Sequence, residues 1–366
     1  MKDKMLKQQR VCFYLSDYGY GHASRQISLI REMLKLNKNK KIKIYVKCGH
    51  TFEFVKKSFC SDKRVVVIKS KNDVGVVLNQ KLEIDLKRTK SIVNKYLLEF
   101  SQKVEDEYLF LKKNKIDLVI SDIVAQAFPA AQQAEIPAIA ITNFTWYDIY
   151  SHLFPEFQRL FLLREAYEKA TALYQLGFFV PMDYFGIKKE FFILARKATV
   201  SKEKMRRELG IKTDDFVVYF SLGMADAQHS LENIVKNLPE NYKLIVSCNI
   251  DVNININNKR VIQIPKFETE SQNYLQICDA VVSKCGYSTF AEALLFKIPI
   301  LFLRRKGFAE DQITGDKLLE FKVGKEITFD DIKNLGIELK NVEKLKKNFG
   351  KLKLQNDSGL IAKDLL

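Results

Sequence analysis

A histidine beside a glycine-containing turn is the first residue in this chain whose position suggests catalysis. Residues 11–15 form a short apolar run that predicts a strand, and a helical pattern of apolar residues follows the turn. Gly19 and Gly21 each permit a positive φ, and His22 would lie at the mouth of this loop, near the first turn of the predicted helix. A helix N-terminus favours an uncharged imidazole, so His22 could accept a proton near neutral pH, and Arg25 could pair with a phosphate or a carboxylate. A single histidine is more often structural, yet this one is among four and lies where a strand ends.

A second glycine turn, residues 283–289, also follows an apolar run and precedes a predicted helix. Gly286 lets the backbone approach a ligand closely, and Ser288 and Thr289 can cap the helix. A helix start leaves about four backbone N–H groups unpaired and carries partial positive charge, which suits a phosphate. Glu292, one turn further along, can accept hydrogen bonds from ribose hydroxyls. The two features together predict a nucleotide, although such a turn alone is also common where a strand and a helix merely pack.

Two other kinds of site are not indicated. The chain lacks the three-glycine dinucleotide fingerprint, so NAD is not expected, and its six cysteines include no CxxC pair, which argues against structural zinc. We interpret the cysteines as reduced, buried thiols. Cys285 lies in the second glycine turn, but Lys284 is its only sequence neighbour that could activate a nucleophile.

The bulk composition predicts two globular domains. The chain has 366 residues, of which 47% are hydrophobic and 28% charged. Its first ten residues are polar and lysine-rich, and its most apolar windows are interrupted by polar residues or proline. Neither a signal peptide nor a membrane span is therefore predicted, and we expect a cytoplasmic protein.

The positive charge is concentrated near the N-terminus. The net charge is +16, and residues 1–47 hold twelve Lys or Arg against three acidic residues. Such a region could bind an anionic membrane, which would place the protein at the inner face of the cytoplasmic membrane. Recurring runs of lysine, asparagine and isoleucine instead suggest a lysine-rich proteome. No helix-turn-helix or aromatic-interleaved basic motif occurs, so nucleic acid is not expected as a partner.

Strand-like and helix-like segments alternate in both halves of the chain. Near-continuous apolar strands in this arrangement predict a parallel sheet covered by helices, once in each half. Residues 118–120 and 138–141 are buried strands followed by Asp122 and by residues 142–148, and ligands bind at such carboxyl ends. Residues 149–175 predict a helix rich in aromatic residues and leucine, which is usually core; an acceptor cleft or lipid contact is the alternative.

The order of these motifs resembles that of the GT-B-fold glycosyltransferases. The resemblance is closest to the glycosyltransferase-like domain of plant arabinokinases and more distant to the peptidoglycan N-acetylglucosaminyltransferase and the UDP-glycosyltransferases. It covers nearly the whole chain and rests on six motifs in the right order: residues 19–25, 121–122, 142–146, 205–211, 286–292 and 304–310.

The resemblance implies an α/β fold of two Rossmann-like parallel-sheet domains that face each other across a cleft. Residues 1–200 would form the acceptor-side domain, 201–213 a linker, and 214–340 the nucleotide-sugar-binding domain. Residues 341–366 would form a C-terminal helix that reaches back toward the first domain.

The resemblance also implies roles for individual residues. His22 would be the general base, and Asp122 would either orient it or bind the acceptor. The nucleotide-sugar would be held by backbone amides, hydroxyls and charged side chains at Gly21, Arg25, Ser221, Gly223, Lys284, Gly286, Ser288, Thr289, Glu292, Glu310, Asp311 and Gln312. The acceptor would contact Tyr20, Asn143 and Trp146.

Loops and helix ends neutralise the leaving diphosphate in such relatives, so we expect no cofactor and no metal ion. The lack of an Asp-x-Asp motif is consistent with this expectation. One departure concerns the second glycine turn, where relatives often carry His-Gly-Gly or Gly-Gly and this chain has Lys284-Cys285-Gly286. Lys284 could offer the diphosphate a cation in place of that histidine.

The sequence thus predicts an inverting, metal-independent glycosyltransferase. A UDP-sugar would be the donor, and a glycan, a lipid-linked sugar or a small molecule the acceptor. A nucleotide-sugar hydrolase or epimerase on the same fold is the alternative. A non-catalytic nucleotide-sugar or glycan-binding protein is a further alternative, for which replacement of His22 would leave function intact.

Overall fold

The computed structural model describes residues 8–38, 42–79, 83–222, 227–247, 258–266 and 268–366. The chain divides into two units. The first contains the described residues up to Val77 together with Ile84–Leu194 and Asn356–Leu366. The second contains Ala195–Gln355 and the short segment 78–83, of which residues 80–82 lie outside the described residues.

The first unit is a parallel seven-stranded sheet with helices between successive strands as far as β6; a loop without a helix joins β6 to β7. Its strands are β1 (Gln9–Tyr14), β2 (Ile42–Cys48), β3 (Val65–Lys69), β4 (Leu118–Ser121), β5 (Ala138–Thr142), β6 (Ala172–Leu176) and β7 (Lys188–Phe191). Its helices are α1 (Tyr20–Leu36), α2 (Phe52–Ser58), α3 (Leu86–Leu98), α4 (Phe100–Asn114), α5 (Ala127–Gln133), α6 (Trp146–Leu153) and α7 (Phe161–Glu168). The strand order is β3-β2-β1-β4-β5-β6-β7, with every pair parallel.

The second unit is a parallel six-stranded sheet of the same kind. Its strands are β8 (Phe216–Ser221), β9 (Tyr242–Val246), β10 (Val261–Gln263), β11 (Ala280–Lys284), β12 (Ile300–Leu303) and β13 (Gly324–Glu326), in the order β10-β9-β8-β11-β12-β13. Its helices are α8 (Lys202–Glu208), α9 (Ala227–Lys236), α10 (Ser271–Leu275), α11 (Tyr287–Leu295), α12 (Ala309–Glu320), α13 (Phe329–Lys333), α14 (Leu335–Leu339) and α15 (Val342–Lys346). The predicted pair of parallel α/β sheets is therefore confirmed.

Strand burial explains why both sheets are parallel. All four residues of β4 and all five of β5 are buried, and β12 is buried throughout. Strands that are apolar on both faces need helices on both faces, and crossover helices between parallel strands supply them. The strand order reverses between β1 and β4 in the first unit and between β8 and β11 in the second. Ligands bind outside the carboxyl ends of strands at such reversals, so these two places are the natural sites.

Two predicted helices differ from the structure. Residues 149–175 do not form one helix, because α6 ends at Leu153, a 3-10 turn and α7 follow, and residues 172–176 are the buried strand β6. The predicted C-terminal helix is likewise broken. α15 and a 3-10 turn lie in the second unit, and α16 (Ser358–Leu365) lies in the first, packed against α1.

The C-terminal segment is tied to the first unit by specific bonds. The Asp357 side chain accepts a hydrogen bond from the Phe192 backbone N–H at 2.7 Å, and the Asp357 N–H donates to the Ile193 carbonyl at 2.7 Å. Further along, Lys189 forms an ion pair with Asp364 at 2.6 Å. Strand pairing and charge therefore hold α16 where its apolar face covers α1.

Candidate active site

The turn after β1 sets the position of His22. Gly19 has φ +82° and ψ 173°, a conformation that favours glycine, and it is the N-cap of α1. Gly21, by contrast, lies inside the helix and does not have positive φ. His22 is the third residue of α1 and so lies in its first turn, as predicted, and only 7% of it is exposed.

His22 faces a carboxylate from the next strand of the sheet. Its Nδ1 lies 3.2 Å from Oδ2 of Asp122, which directly follows β4, and its ring packs edge-on against Phe144. Within the described residues, no protein group forms a hydrogen bond with its Nε2. The strand reversal between β1 and β4 thus brings together a histidine and an aspartate that are 100 positions apart in sequence.

Arg25 completes a buried cluster around Asp122. Its Nε donates to Asp122 Oδ2 at 2.9 Å, its Nη2 donates to Asp122 Oδ1, and its Nη1 donates to Asn143 Oδ1 at 2.6 Å. Burial alone would raise the pKa of Asp122, but the charges of Arg25 and His22 and their hydrogen bonds outweigh it and lower that pKa. Asp122 is therefore a carboxylate at neutral pH. These internal partners engage the Arg25 guanidinium, which we predicted to bind the nucleotide-sugar.

The three predicted acceptor residues have different surroundings. Tyr20 is half-buried, with edge-on contacts to the rings of His50 and Phe54. Asn143 is fully buried, and its side chain accepts the hydrogen bond from Arg25. Trp146 is 1% exposed, so its ring belongs to the core instead of a surface that an acceptor could reach. Tyr20 alone of the three retains an accessible face.

Two aspartates that the sequence did not single out organise the loops around this turn. Asp17 accepts hydrogen bonds from the backbone N–H groups of Gly49 at 2.7 Å, His50 at 3.1 Å and Asn72 at 2.8 Å. Asp73 accepts from the Asp17 N–H at 2.8 Å and from the Trp146 indole, also at 2.8 Å. Burial, and then the charge of Asp17, raises the pKa of Asp73 to about 6. The position of Asp17 in the glycine turn was the only available sequence signal.

In the second unit, the glycine turn joins β11 to α11 as predicted. Gly286 is the N-cap of α11, in extended backbone, and a Cβ placed there would meet no described atom closer than the Lys284 carbonyl oxygen at 4.0 Å. The space beside Gly286 is therefore open. Ser288 and Thr289 lie inside the first helical turn instead of before it, so the prediction that they cap the helix is wrong, and both are partly exposed.

Lys284, the last residue of β11, presents a cation at this turn. It is partly buried, and within the described part of the chain its ammonium group has no hydrogen-bond acceptor and no carboxylate partner. Burial, and then the positive charge of Arg305, lowers the pKa of Lys284 to about 8. The charges of Asp311 and Glu310 act in the opposite direction and offset only part of this lowering. An anion beside Gly286 would add further negative charge at this turn.

Glu292 is engaged by an arginine. Arg196 donates from Nε to Glu292 Oε1 at 2.7 Å and from Nη2 to Oε2 at 3.3 Å, and both side chains are buried. Arg196 also donates to the Thr269 carbonyl at 2.7 Å and to Ser271 Oγ at 2.9 Å. Sequence reasoning missed Arg196, because nothing in its local sequence indicates a partner 96 positions away. A role of Glu292 in ribose binding stays a prediction.

The predicted sugar-binding carboxylates lie at the start of α12. Arg305 Nε donates to Asp311 Oδ2 at 3.0 Å, its Nη2 lies 3.4 Å from Glu310 Oε2, and it donates to the Cys285 carbonyl at 3.0 Å. The guanidinium stacks on the Phe308 ring at 3.8 Å. Asp311 is thus a structural partner of Arg305, whereas the side chain of Gln312 is exposed and donates to Asp316 at 2.9 Å.

A further predicted residue, Ser221, lies at the carboxyl end of β8. Ser221 ends that strand, partly buried, and its carbonyl accepts a hydrogen bond from Ser283 Oγ at 3.2 Å. This bond links the carboxyl ends of β8 and β11 at the strand reversal. Gly223 lies outside the described residues.

Neither a metal-binding cluster nor a membrane-spanning helix is found among the described residues. They contain no group of three His, Cys, Asp or Glu side chains that could hold a metal ion. They also contain no helix that is both long enough and apolar enough to cross a membrane. The five cysteines in the described part of the chain are free; Cys60 is exposed and Cys285 is buried, and burial raises the pKa of the Cys285 thiol.

Comparison with known proteins gives a family and a fold. The profile described as Glycosyl transferase family 1 matches residues 9–342. L-arabinokinase of Arabidopsis thaliana is 26% identical over 326 residues, 87% of this chain but only 30% of that protein. The glycosyltransferase VinC, in complex with DTDP, aligns over 98% of this chain and 99% of its own, at 12% identity and TM-score 0.62. UGT2 of Phytolacca americana, complexed with UDP-2fluoro-glucose and pterostilbene, covers 98% of both chains at 11% identity and TM-score 0.65. At these identities the structural likeness shows the fold, which is the predicted GT-B type.

Proposed function

The chain belongs to glycosyl transferase family 1, and from that membership we propose that it transfers a sugar from a UDP-sugar to an acceptor hydroxyl. The transfer inverts the anomeric carbon and uses no metal ion. The observation that carries this proposal is the geometry of His22, whose Nδ1 lies 3.2 Å from Asp122 while no described group bonds its Nε2.

His22 acts as the general base. Its Nδ1–H donates to the Asp122 carboxylate, which leaves the lone pair of Nε2 to take the proton of the acceptor hydroxyl. As that oxygen bonds to the anomeric carbon, the bond to the diphosphate oxygen breaks, and UDP leaves with the electron pair. Asp122 then stabilises the imidazolium that has formed, as the aspartate of a hydrolytic triad does.

The second unit supplies the diphosphate subsite. The N-terminus of α11 presents backbone N–H groups and a partial positive charge, and the open space beside Gly286 admits an oxygen close to the backbone. Lys284 adds a cation that forms no direct ion pair within the described residues. A helix start and a lysine can stabilise the charge that develops on a leaving diphosphate, which is the work that a metal ion does elsewhere.

The names of the relatives guide the choice of donors. DTDP and a UDP-sugar accompany the two solved structures, and the curated relative is named for L-arabinose. The chain spans 30% of that relative, so the sugar comes into the proposal only as a donor to test. UDP-arabinose therefore belongs in a panel with UDP-glucose, UDP-N-acetylglucosamine and the corresponding GDP-, ADP- and TDP-sugars.

The first experiment is calorimetric binding of that panel to the wild type and three variants. Gly286→Ala places a methyl group in the open space, so we expect it to fold normally and to weaken nucleotide binding at least tenfold. Gly350→Ala is the matched control, since its Cβ would also meet no described atom within 4 Å. His22→Ala should bind the donor as the wild type does. Equal affinity of Gly286→Ala and Gly350→Ala for the best nucleotide would contradict the proposed subsite.

Product analysis, with and without an acceptor, separates transfer from its alternatives. A hydrolase would release free sugar from the donor at full rate without any acceptor, and an epimerase would convert the donor sugar. A transferase releases UDP quickly only when an acceptor is added. In a non-catalytic binding protein, donor binding would occur without any turnover that depends on His22.

A further inference from the structure

Arg25 occupies a position that the proposed role of His22 does not by itself explain. It lies three residues after His22 on the same face of α1, and it is 2% exposed. A guanidinium is a rigid fork of five N–H donors and has no acceptor. Each acceptor that it contacts is therefore fixed in direction as well as in distance.

The N–H groups of the Arg25 guanidinium donate to three neighbouring side chains. Nε and Nη2 donate to the two oxygens of Asp122, and Nη1 donates to Asn143. Nη2 also lies 3.3 Å from Thr142 Oγ1, whose own hydrogen is donated to the Phe144 carbonyl at 2.7 Å. The Asp122 carboxylate is thus held in one orientation by two bonds from a single planar group.

Nη2 lies close to His22 as well, which creates a choice of tautomer. The distance from Arg25 Nη2 to His22 Nδ1 is 3.1 Å, and the distance from Asp122 Oδ2 to the same nitrogen is 3.2 Å. If Nδ1 is bare, it accepts from Arg25, and the proton of the neutral ring lies on Nε2, which then cannot act as a base. If Nδ1 carries the proton, it donates to Asp122, and Nε2 is free to accept.

The surrounding acceptors decide between the two tautomers. The two hydrogens of Arg25 Nη2 have acceptors in Asp122 Oδ1 and Thr142 Oγ1, so neither requires His22 Nδ1 as its acceptor. A bare Nδ1 would instead place its lone pair 3.2 Å from a carboxylate oxygen, which brings two acceptors together in a buried site. With the proton on Nδ1, that proton has Asp122 Oδ2 as its acceptor, and both hydrogens of Nη2 keep theirs.

We propose that Arg25 is the positioning residue for the base: by holding Asp122 and by donating to Thr142, it fixes His22 with the proton on Nδ1 and a bare Nε2. This inference rests on the proposed role of His22 in transfer, but its structural content can be tested without turnover. Arg25 does not contact the substrate in this assignment. Its effect on the reaction passes through Asp122 and His22.

The test is nitrogen NMR of protein labelled with 15N-histidine, at pH 7.5. The chain has four histidines, and a His22→Gln sample identifies the His22 signals by their loss. We expect the wild-type spectrum to show a protonated Nδ1 and an unprotonated Nε2. The opposite tautomer in the wild type would overturn the proposal whatever the variants do.

Two substitutions test the cause. Thr142→Val removes the second acceptor of Arg25 Nη2 and keeps the side-chain shape. The Nη2 hydrogen that loses Thr142 should then donate to His22 Nδ1. Because Nδ1 must be unprotonated to accept it, a population of His22 with protonated Nε2 should appear. Arg25→Met frees the carboxylate, and we expect averaged tautomers with kcat reduced at least tenfold and donor KM changed less than twofold. Arg25→Lys keeps the charge without the fork and should behave like Arg25→Met. A Thr142→Val spectrum identical to that of the wild type would refute the assignment.

The NMR result and the transfer assay can fail separately. A bare Nε2 in a protein that binds no nucleotide would support the role of Arg25 and contradict the proposed function. A protonated Nε2 in an active, His22-dependent transferase would overturn the role of Arg25 and leave the proposed function standing.

Discussion

Binding of UDP at pH 8 should draw a proton onto Lys284. Lys284 ends β11 two residues before Gly286, and its pKa is lowered to about 8, first by burial and then by the charge of Arg305. A diphosphate bound at this turn would add negative charge beside the lysine and restore the pKa toward its ordinary value of 10.5. The protein should therefore take up protons on binding in a pH window that follows from these two values.

The size of the uptake can be worked out from the free and bound states. With a pKa of about 8, roughly half of the free protein carries a neutral Lys284 at pH 8, about 3% at pH 6.5 and about 90% at pH 9. If the bound lysine is fully charged, uptake is about 0.5 proton per UDP at pH 8, less than about 0.1 at pH 6.5 and about 0.9 at pH 9. The UDP phosphate does not contribute at pH 8, because its last pKa is about 6.

Calorimetry in two buffers of different ionisation enthalpy measures this uptake directly. Lys284→Arg is the matched control, because an arginine stays charged throughout this pH range and should bind UDP with no uptake above about 0.1 proton. Wild-type protein that binds UDP at pH 8 without taking up protons would refute the assignment. The same uptake in Lys284→Arg would show that another group is responsible.

Three further predictions concern stability and reactivity. Glu292→Ala leaves the buried Arg196 without its carboxylate, so it should lower the free energy of unfolding by about 3 kcal/mol without any ligand; an unchanged urea midpoint would contradict this. Burial raises the pKa of Asp73 to about 6, above its unfolded value of 3.8, so its stabilising contribution is full below pH 3.8 and lost as the pH rises through 6. Relative to Asp73→Asn, the wild type should therefore gain about 1 kcal/mol between pH 7 and pH 5, and a flat difference in urea titrations would exclude it. Among the described cysteines, Cys60 should react first with a thiol reagent in the native protein, whereas fast labelling of Cys285 would show that its turn opens.

The sheets and their turns could be predicted from the sequence because they depend on short-range patterns. Strands buried on both faces are continuous apolar runs, and the residues that follow them must turn. Gly19, with its positive φ, and Gly286, with open space beside it, lie where the sequence indicated. The strand reversals at these two turns come from the structure, because alternation of strands and helices predicts a parallel sheet but not the order of its strands.

The partners of the charged residues could not be predicted, because they are set by tertiary contacts. A guanidinium binds a phosphate and a carboxylate equally well, so the residue type of Arg25 does not identify its partner. Its partners Asp122 and Asn143 are 97 and 118 positions away in sequence, and only the fold brings them next to it. Arg196 and Glu292 are a similar case, 96 positions apart.

The prediction of one helix over residues 149–175 failed for a different reason, which is local. Leucine and aromatic residues at residues 149–175 fit a helix and a buried strand equally well, so pattern alone did not separate α6 and α7 from β6. The family resemblance predicts that Trp146 contacts the acceptor. The structure buries it and pairs its indole with Asp73, whose position in a loop carried no sequence signal.

The most direct test of the proposed reaction is the rate of UDP release from the best-bound UDP-sugar, with an acceptor mixture present. Wild type and His22→Ala are compared, with His152→Ala as a control for an exposed histidine. We predict that His22→Ala binds the donor within twofold of the wild type and loses about 10²- to 10⁴-fold in kcat, while His152→Ala is unaffected. Turnover of His22→Ala at the wild-type rate would contradict the account of the base, and failure of every nucleotide-sugar to bind would contradict the proposed reaction itself.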